Sequence, residues 1–177
     1  MGQNFRLLLA MVLVGTIVAF ADTTVRAQTQ SAGQADLDFA ATAAQANNGE
    51  IALAKLAVQR TASPEIRMFA QRMIADHSKI GDQLAAIAKA GNFQLPPASP
   101  LSAHDQQEQQ MLSGLSSHPF DVQYIAAQVA DHDAAVALFE KEAKDGSNPA
   151  LVKFAASALP TLKDHLKLAH RTQDNTN

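Results

Sequence analysis

Four side chains able to ligate a metal stand at positions where apolar residues are expected: Glu50, His77, His132 and His165. In a helix that buries one face, apolar residues recur at alternating steps of three and four. One such seam reads Phe39, Ala43, Ala46, Glu50, Leu53, Ala57, and a second reads Ile66, Ala70, Met73, His77, Ile80, Leu84, Ile87. A third reads Val122, Ile125, Val129, His132, Val136, Phe139, Ala143, and a fourth Leu151, Ala155, Ala158, Leu162, His165, Ala169. Each apolar stripe therefore carries one potential ligand. Three imidazoles and a carboxylate suit zinc, iron, manganese or copper, and ligand type alone does not choose among them. The cofactor this set implies is one transition-metal ion.

Each of these histidines follows an aspartate: Asp76, Asp131 and Asp164. Neighbours on a helix point about 100° apart, so an aspartate cannot chelate together with its own histidine. It can orient an imidazole from an adjacent helix, as metal-bound histidines commonly require, or it can be a solvated flank residue. The constellation also has a metal-free reading, in which the buried polar groups satisfy one another and fix the pairing of helices. That reading describes a non-enzymatic envelope or stress-related structural or binding protein. A third describes a pH-responsive binding module, since free imidazoles titrate near pH 6.5. Tyr124 reads as a core residue, and His104, His118 and His170 as exposed. No catalytic motif is established: there is no phosphate-binding glycine loop, nucleophile elbow or supported Ser-His-Asp set.

The elements that must position these groups are helices. Ser63-Pro64-Glu65 and Asn148-Pro149 are cap-then-proline starts, Gly91 is a candidate C-cap, and Asp145-Gly146 is a stop. The expected helices cover residues 36–60 with Asp36 as N-cap, 64–90, 119–144 and 148–170, with a kink at Pro160. Leu95-Pro96-Pro97 and Pro100 interrupt a long connection in which residues 104–115 form a short polar helix. A shift of 85 residues lays the first hairpin on the second: Asp36 meets Asp121, Phe39 meets Tyr124, Pro64 meets Pro149, and Phe69-Ala70 meets Phe154-Ala155. The fold class is thus all-α, a ferritin-like four-helix bundle of two duplicated helical hairpins joined by a long crossover with a short helix. If the crossover puts the two hairpin turns at opposite ends, the four ligand-capable residues fall at similar depth. At about 1.5 Å per residue they lie roughly 18 to 27 Å from a turn, near the middle of a bundle about 40 Å long.

The rest of the chain bounds the setting. Residues 7–20 form an apolar run after the basic Arg6, and small-residue exits follow at Ala21 and Ala27. This pattern reads as a signal peptide over residues 1–27, cleaved after Ala21 or Ala27, with export to the periplasm or outside the cell. The run of 14 residues is short of the ~20 that span a bilayer, so no stable transmembrane span is expected after processing. Residues 28–35 read as a flexible leader, 36–171 as the domain and 172–177 as a disordered tail. The 177-residue chain has a net charge of −3 and no cysteine. That balance excludes a basic nucleic-acid surface, and the missing thiols exclude disulfides and cysteine chemistry. A homodimer is compatible with these features.

The segment from Asp36 to His170 resembles the exported bacterial domain-of-unknown-function family 4142, a group of ferritin-like helical folds. The resemblance rests on Asn48-Gly49-Glu50-Ile51, Ser63-Pro64-Glu65 with Phe69-Ala70, and Met73-Ile74-Ala75-Asp76-His77. It continues in Leu95-Pro96, Phe120-Asp121 with Tyr124, Asp131-His132, and Leu159-Pro160-Thr161-Leu162 with His165-Leu166. It implies the fold and export and no particular reaction. Ferritin-like di-iron proteins use Glu-x-x-His motifs, and this sequence contains none. Oxygen-activating chemistry is therefore not implied, and a mononuclear site fits the ligand count better.

Overall fold

The computed structural model describes residues 32–176, and the expected signal peptide and the first half of the leader lie outside them. Among the described residues the structure is all-helical: α1 Gln34–Arg60, α2 Pro64–Gly91, α3 Ala103–Ser113, α4 Ser117–Asp145 and α5 Pro149–Thr176. The starts follow cap chemistry. Ser63 Oγ accepts from Ile66 N at 3.3 Å, with Pro64 in the first turn. Ser102 Oγ accepts from Asp105 N at 3.1 Å, and Asn148 Oδ1 accepts from Ala150 N and Leu151 N at 3.0 and 3.1 Å ahead of α5. These side chains take up backbone donors that a helix start leaves without intrahelical partners.

Four boundary expectations are corrected. Gly33, rather than Asp36, is the N-cap of α1, so Gln34 and Ala35 of the expected leader are helical. Asp36 instead turns its carboxylate back on Gly33 N at 2.8 Å and across the bundle to the α4–α5 turn, where Ser147 N and Asn148 N donate to Oδ1 at 2.8 and 3.2 Å. Asn92, not Gly91, holds the left-handed C-cap of α2, with φ 54°. Finally, α5 contains Pro160 as expected but continues to Thr176, through residues expected to be a disordered tail. Cross-helix bonds order that end: Thr172 Oγ1 and Asn175 Nδ2 donate to Glu65 Oε1 at 3.2 and 3.3 Å.

The long helices form a ring in which α1 packs on α2 and α4, and α5 on α4 and α2. Every neighbouring pair is antiparallel. Phe39 meets Phe139 while Glu50 meets Gln128 between α1 and α4, and Glu65 meets Thr172 while Asp76 meets His165 between α2 and α5. Helices α2 and α4 consequently run parallel, and the connection between them travels the length of the bundle. It leaves with Phe93 and Leu95 on one half of the core and arrives with Leu112 and Leu115 on the other. On the way α3 lies over α1 and α4. Gly49 permits that approach: a Cβ there would come within 2.4 Å of the Asp105 carboxylate.

The core is in two halves. One gathers Phe39, Ala43, Ile80, Leu84, Phe139, Phe154 and Leu162 near the α4–α5 turn. The other gathers Leu53, Ile66, Phe69, Met73, Phe120, Tyr124 and Ala169 near the α1–α2 turn. Between them each helix contributes buried polar residues: Asn47 and Glu50, His77, Gln128 and His132, and His165. No described helix is long and apolar enough to cross a membrane.

Burial alone would raise the Asp36 pKa, but hydrogen bonds from the Ser147 side chain and from the Ser147, Asn148 and Gly33 backbones outweigh it and lower it to about 2. Its folded pKa is depressed, so the contribution is complete above the ordinary value of 3.8 and is lost as pH falls through about 2. Replacing Asp36 with Ala strands these donors. Urea unfolding at neutral pH is expected to show a loss of about 2–4 kcal/mol with an unchanged slope.

Candidate metal centre

The bundle brings His77 from α2, His132 from α4 and His165 from α5 into one cluster, although 88 residues separate the first from the last. One ring nitrogen of each lies within 4.8 Å of one from each of the others, and all three side chains are buried. Ring centroids are 5.3 to 5.5 Å apart. His77 Nε2 and His132 Nε2 face each other at 3.4 Å.

The outward nitrogen of each ring is held by a different acceptor. His77 Nδ1 lies 3.1 Å from Asn47 Oδ1, and His132 Nδ1 lies 2.9 Å from the Gln128 carbonyl. His165 Nε2 lies 3.1 Å from Asp76 Oδ2. A carbonyl or carboxylate only accepts, so these ring nitrogens carry the protons and donate. The remaining nitrogens are lone-pair donors: Nε2 of His77, Nε2 of His132 and Nδ1 of His165, the last buried with no hydrogen-bond partner.

Electrostatics keeps the rings neutral. Burial, then the neighbouring His132 and His165, lower His77 to about 3. Burial and His165 lower His132 to about 4, and burial lowers His165 against the pull of Asp76. Glu50 lies behind His132, its Oε1 3.6 Å from His132 Nδ1 and its Oε2 accepting from Gln128 Nε2 at 2.7 Å. Burial, reinforced by the charge of Asp131, raises Glu50 to about 8, so it is mostly protonated at neutral pH.

The structure separates the remaining site expectations. Glu50 is at the right depth but on the far side of His132, beside a nitrogen that already donates to Gln128, so it borders the imidazole cluster without joining it. Of the three aspartates, Asp76 reaches a core histidine of another helix. Asp131 instead meets the exposed His104, 3.3 Å away. Asp164 pairs with Arg72 on the surface, whose guanidinium lowers its pKa. Asn47 and Gln128 are site residues that the pattern reading passed over. Both were accessible to it, since Asn47 precedes Glu50 by three and Gln128 precedes His132 by four, the steps of one helix face. On α4 the buried face is centred on Tyr124, Gln128 and His132, which leaves Val129 and Val136 only partly buried.

A cavity of about 400 Å³ opens beside the cluster. Its walls are largely apolar, including Ala43, Ile80, Leu138, Phe139 and Leu162, and its polar end holds His77, His132 and Glu50 together with His104, Asp105 and Asp131.

Residues 21–172 match the family described as Domain of unknown function (DUF4142). The chain belongs to this family. No curated protein matches it. Among solved structures, a DUF305 fragment from Deinococcus radiodurans is similar, with a TM-score of 0.71 and 18% sequence identity, over 82% of this chain and 99% of that one. At that identity the likeness shows a shared helical fold. For this DUF4142 chain the site argument therefore rests on its own side chains.

The pKa shifts predict opposing pH limbs in chelator-treated protein. The histidine pKa values are depressed, so their contribution is present above about 6.5 and is lost as pH falls through about 4 and 3. The Glu50 pKa is raised, so its contribution is complete below about 4.5 and is lost as pH rises through about 8. The thermal midpoint should pass through a maximum between these limbs. Glu50→Gln should flatten the alkaline limb and leave the acid limb in place, measured by circular dichroism melts across pH 3 to 9.

Proposed function

We propose that this protein is an exported, ferritin-like four-helix bundle that binds one transition-metal ion in its core through His77, His132 and His165. The observation that carries the reading is the set of three neutral imidazoles whose outer nitrogens donate to fixed acceptors, while Nε2 of His77 and of His132 face each other and a ring nitrogen of His165 lies within 4.8 Å of one from each. Metal-ligating histidines are held in this way, and the free lone pair is the one a metal needs. The 3.4 Å separation of His77 Nε2 and His132 Nε2 suits it. Two nitrogens each about 2.05 Å from a tetrahedral ion are roughly 3.3 Å apart. Without a cation or a proton between them, these lone pairs repel.

Three imidazoles leave a coordination position free, and the cavity beside His77 and His132 gives it access to small molecules. The donor set suits zinc, copper, iron or other borderline ions better than magnesium or calcium. Asp76 tightens His165 electrostatically, and Glu50 supplies a nearby carboxyl group that can balance the ion's charge. Export is inferred from the pattern of residues 1–27.

One observation favours a metal-free polar layer instead. The His77–His132 separation also permits an imidazole–imidazole hydrogen bond if Asn47 turns its amide nitrogen toward His77 Nδ1. The two readings separate on metal analysis of the mature protein. Metal binding predicts close to one equivalent of zinc or cobalt(II) after repletion, lost in a His77→Ala/His132→Ala variant. It also predicts a melting midpoint that falls on chelation. An ion at 100 times its dissociation constant stabilises the fold by about 2.7 kcal/mol. Substoichiometric metal in both proteins, with a chelator-insensitive midpoint, would leave the polar layer as the function of these residues.

A further inference from the structure

A second group of ligand-capable residues lies outside the imidazole cluster, two of them, His104 and Asp105, lining the same cavity. His104, Asp105 and Glu108 of α3 place one donor atom each within 4.8 Å of one another. Asp131 of α4 joins them, its Oδ1 3.3 Å from His104 Nε2. This set is graded in exposure: the His104 side chain is 70% exposed, whereas Asp105 is only 7% exposed. Gly49 leaves the space that the Asp105 carboxylate occupies against α1.

Two observations point to a cation there. Glu108 Oε2 is buried with no donor to satisfy it, and the Asp131 carboxyl group lies against partly buried Glu108, so the pair needs a proton or a cation between them. Neighbouring Gln128 and Tyr124, both fully buried on α4, likewise leave Gln128 Oε1 and the Tyr124 hydroxyl without partners. Gln128 is tied to this region through its bond to Glu50, and Tyr124 feels the charges of Glu50 and Glu108. Buried oxygens are normally satisfied, so carboxyl groups gathered without enough donors form a place where a positive charge is favourable.

The cavity connects this group to the core. Its lining includes His104, Asp105 and Asp131 as well as His77, Glu50 and His132. The two groups meet at consecutive residues of α4, Asp131 and His132, whose Cα atoms are about 3.8 Å apart. The inner imidazoles are neutral and buried and attract a hydrated cation poorly from a distance. Partly exposed carboxylates such as Glu108 and Asp131 concentrate such an ion, and imidazoles then bind borderline metals more strongly.

We propose that His104, Asp105, Glu108 and Asp131 form an outer divalent-cation site from which an ion passes through the cavity to His77, His132 and His165. The transfer step rests on the metal-binding reading above, whereas the outer site stands on its own residues.

Cobalt(II) titration of the full mature protein tests both parts, because nitrogen-rich four-coordinate cobalt absorbs intensely in the visible and oxygen-rich six-coordinate cobalt weakly. The expected result is two ions, one of each kind. Asp105→Asn/Glu108→Gln should lose the weakly absorbing ion and keep the intense one, filling the inner site at least about tenfold more slowly at low salt. His104→Ala, an exposed change, should slow filling in the same direction and guards against misfolding of the double variant. A His77→Gln/His132→Gln variant should retain only the weak ion. If the wild type binds no second ion, or the double variant keeps both ions and the wild-type filling rate, the proposal is overturned. Loss of a weak ion in the double variant, with no intense band in any protein, would keep the outer site and remove the inner centre and the transfer.

Discussion

A buried polar group must find a partner or cost roughly 2–7 kcal/mol, and this bundle places such groups across its whole middle. His77, His132 and His165 meet there with Asn47, Glu50 and Gln128, and apolar core lies on either side. Helix register, the turn at each end and the path of the crossover must all agree for these side chains to reach one another. A register shift of one residue on any helix turns its member about 100° away and strands the rest. The layer therefore constrains the pairing of the hairpins more sharply than the surrounding alanines and leucines.

The ends of the bundle set that register. At one end Asp36 of α1 gathers the backbone of the α4–α5 turn. At the other, Glu65 of α2 gathers the last turn of α5. Each contact joins the first hairpin to the second across more than a hundred residues of chain, and the polar layer lies between them. The long crossover makes α2 and α4 parallel and carries α3 onto α1 and α4, beside the cavity. The same connection that determines the topology thus supplies the outer carboxylates.

The chemistry differs from what the architecture alone would suggest. Bundles with paired Glu-x-x-His motifs hold two metals between bridging carboxylates. Here the core offers three neutral imidazoles, with the carboxyl of Glu50 displaced behind one of them and Asp105, Glu108 and Asp131 gathered outside the cluster around His104. Nitrogen donors inside and oxygen donors outside give the site a direction. The membership in DUF4142 and the likeness to the DUF305 fragment speak to the fold, while this division of donors belongs to the individual side chains.

Much of this was legible in the one-dimensional pattern. The seam of α5 is buried at every position read from the sequence, from Leu151 through His165 to Ala169. The cap residues Ser63 and Asn148 mark their helices because local hydrogen bonds determine where a helix begins. One ligand-capable residue per helix at matching depth followed from 3.6-residue periodicity and a rise of about 1.5 Å per residue. Periodicity says which face is inward, but not which way around the axis a neighbour lies. Only the tertiary structure decided that Glu50 stands behind His132, that Asp76 serves His165 while Asp131 turns to His104, and that α5 stays helical to Thr176. Those outcomes depend on contacts between residues distant in sequence, where rotation and docking of whole helices determine whether two polar atoms meet.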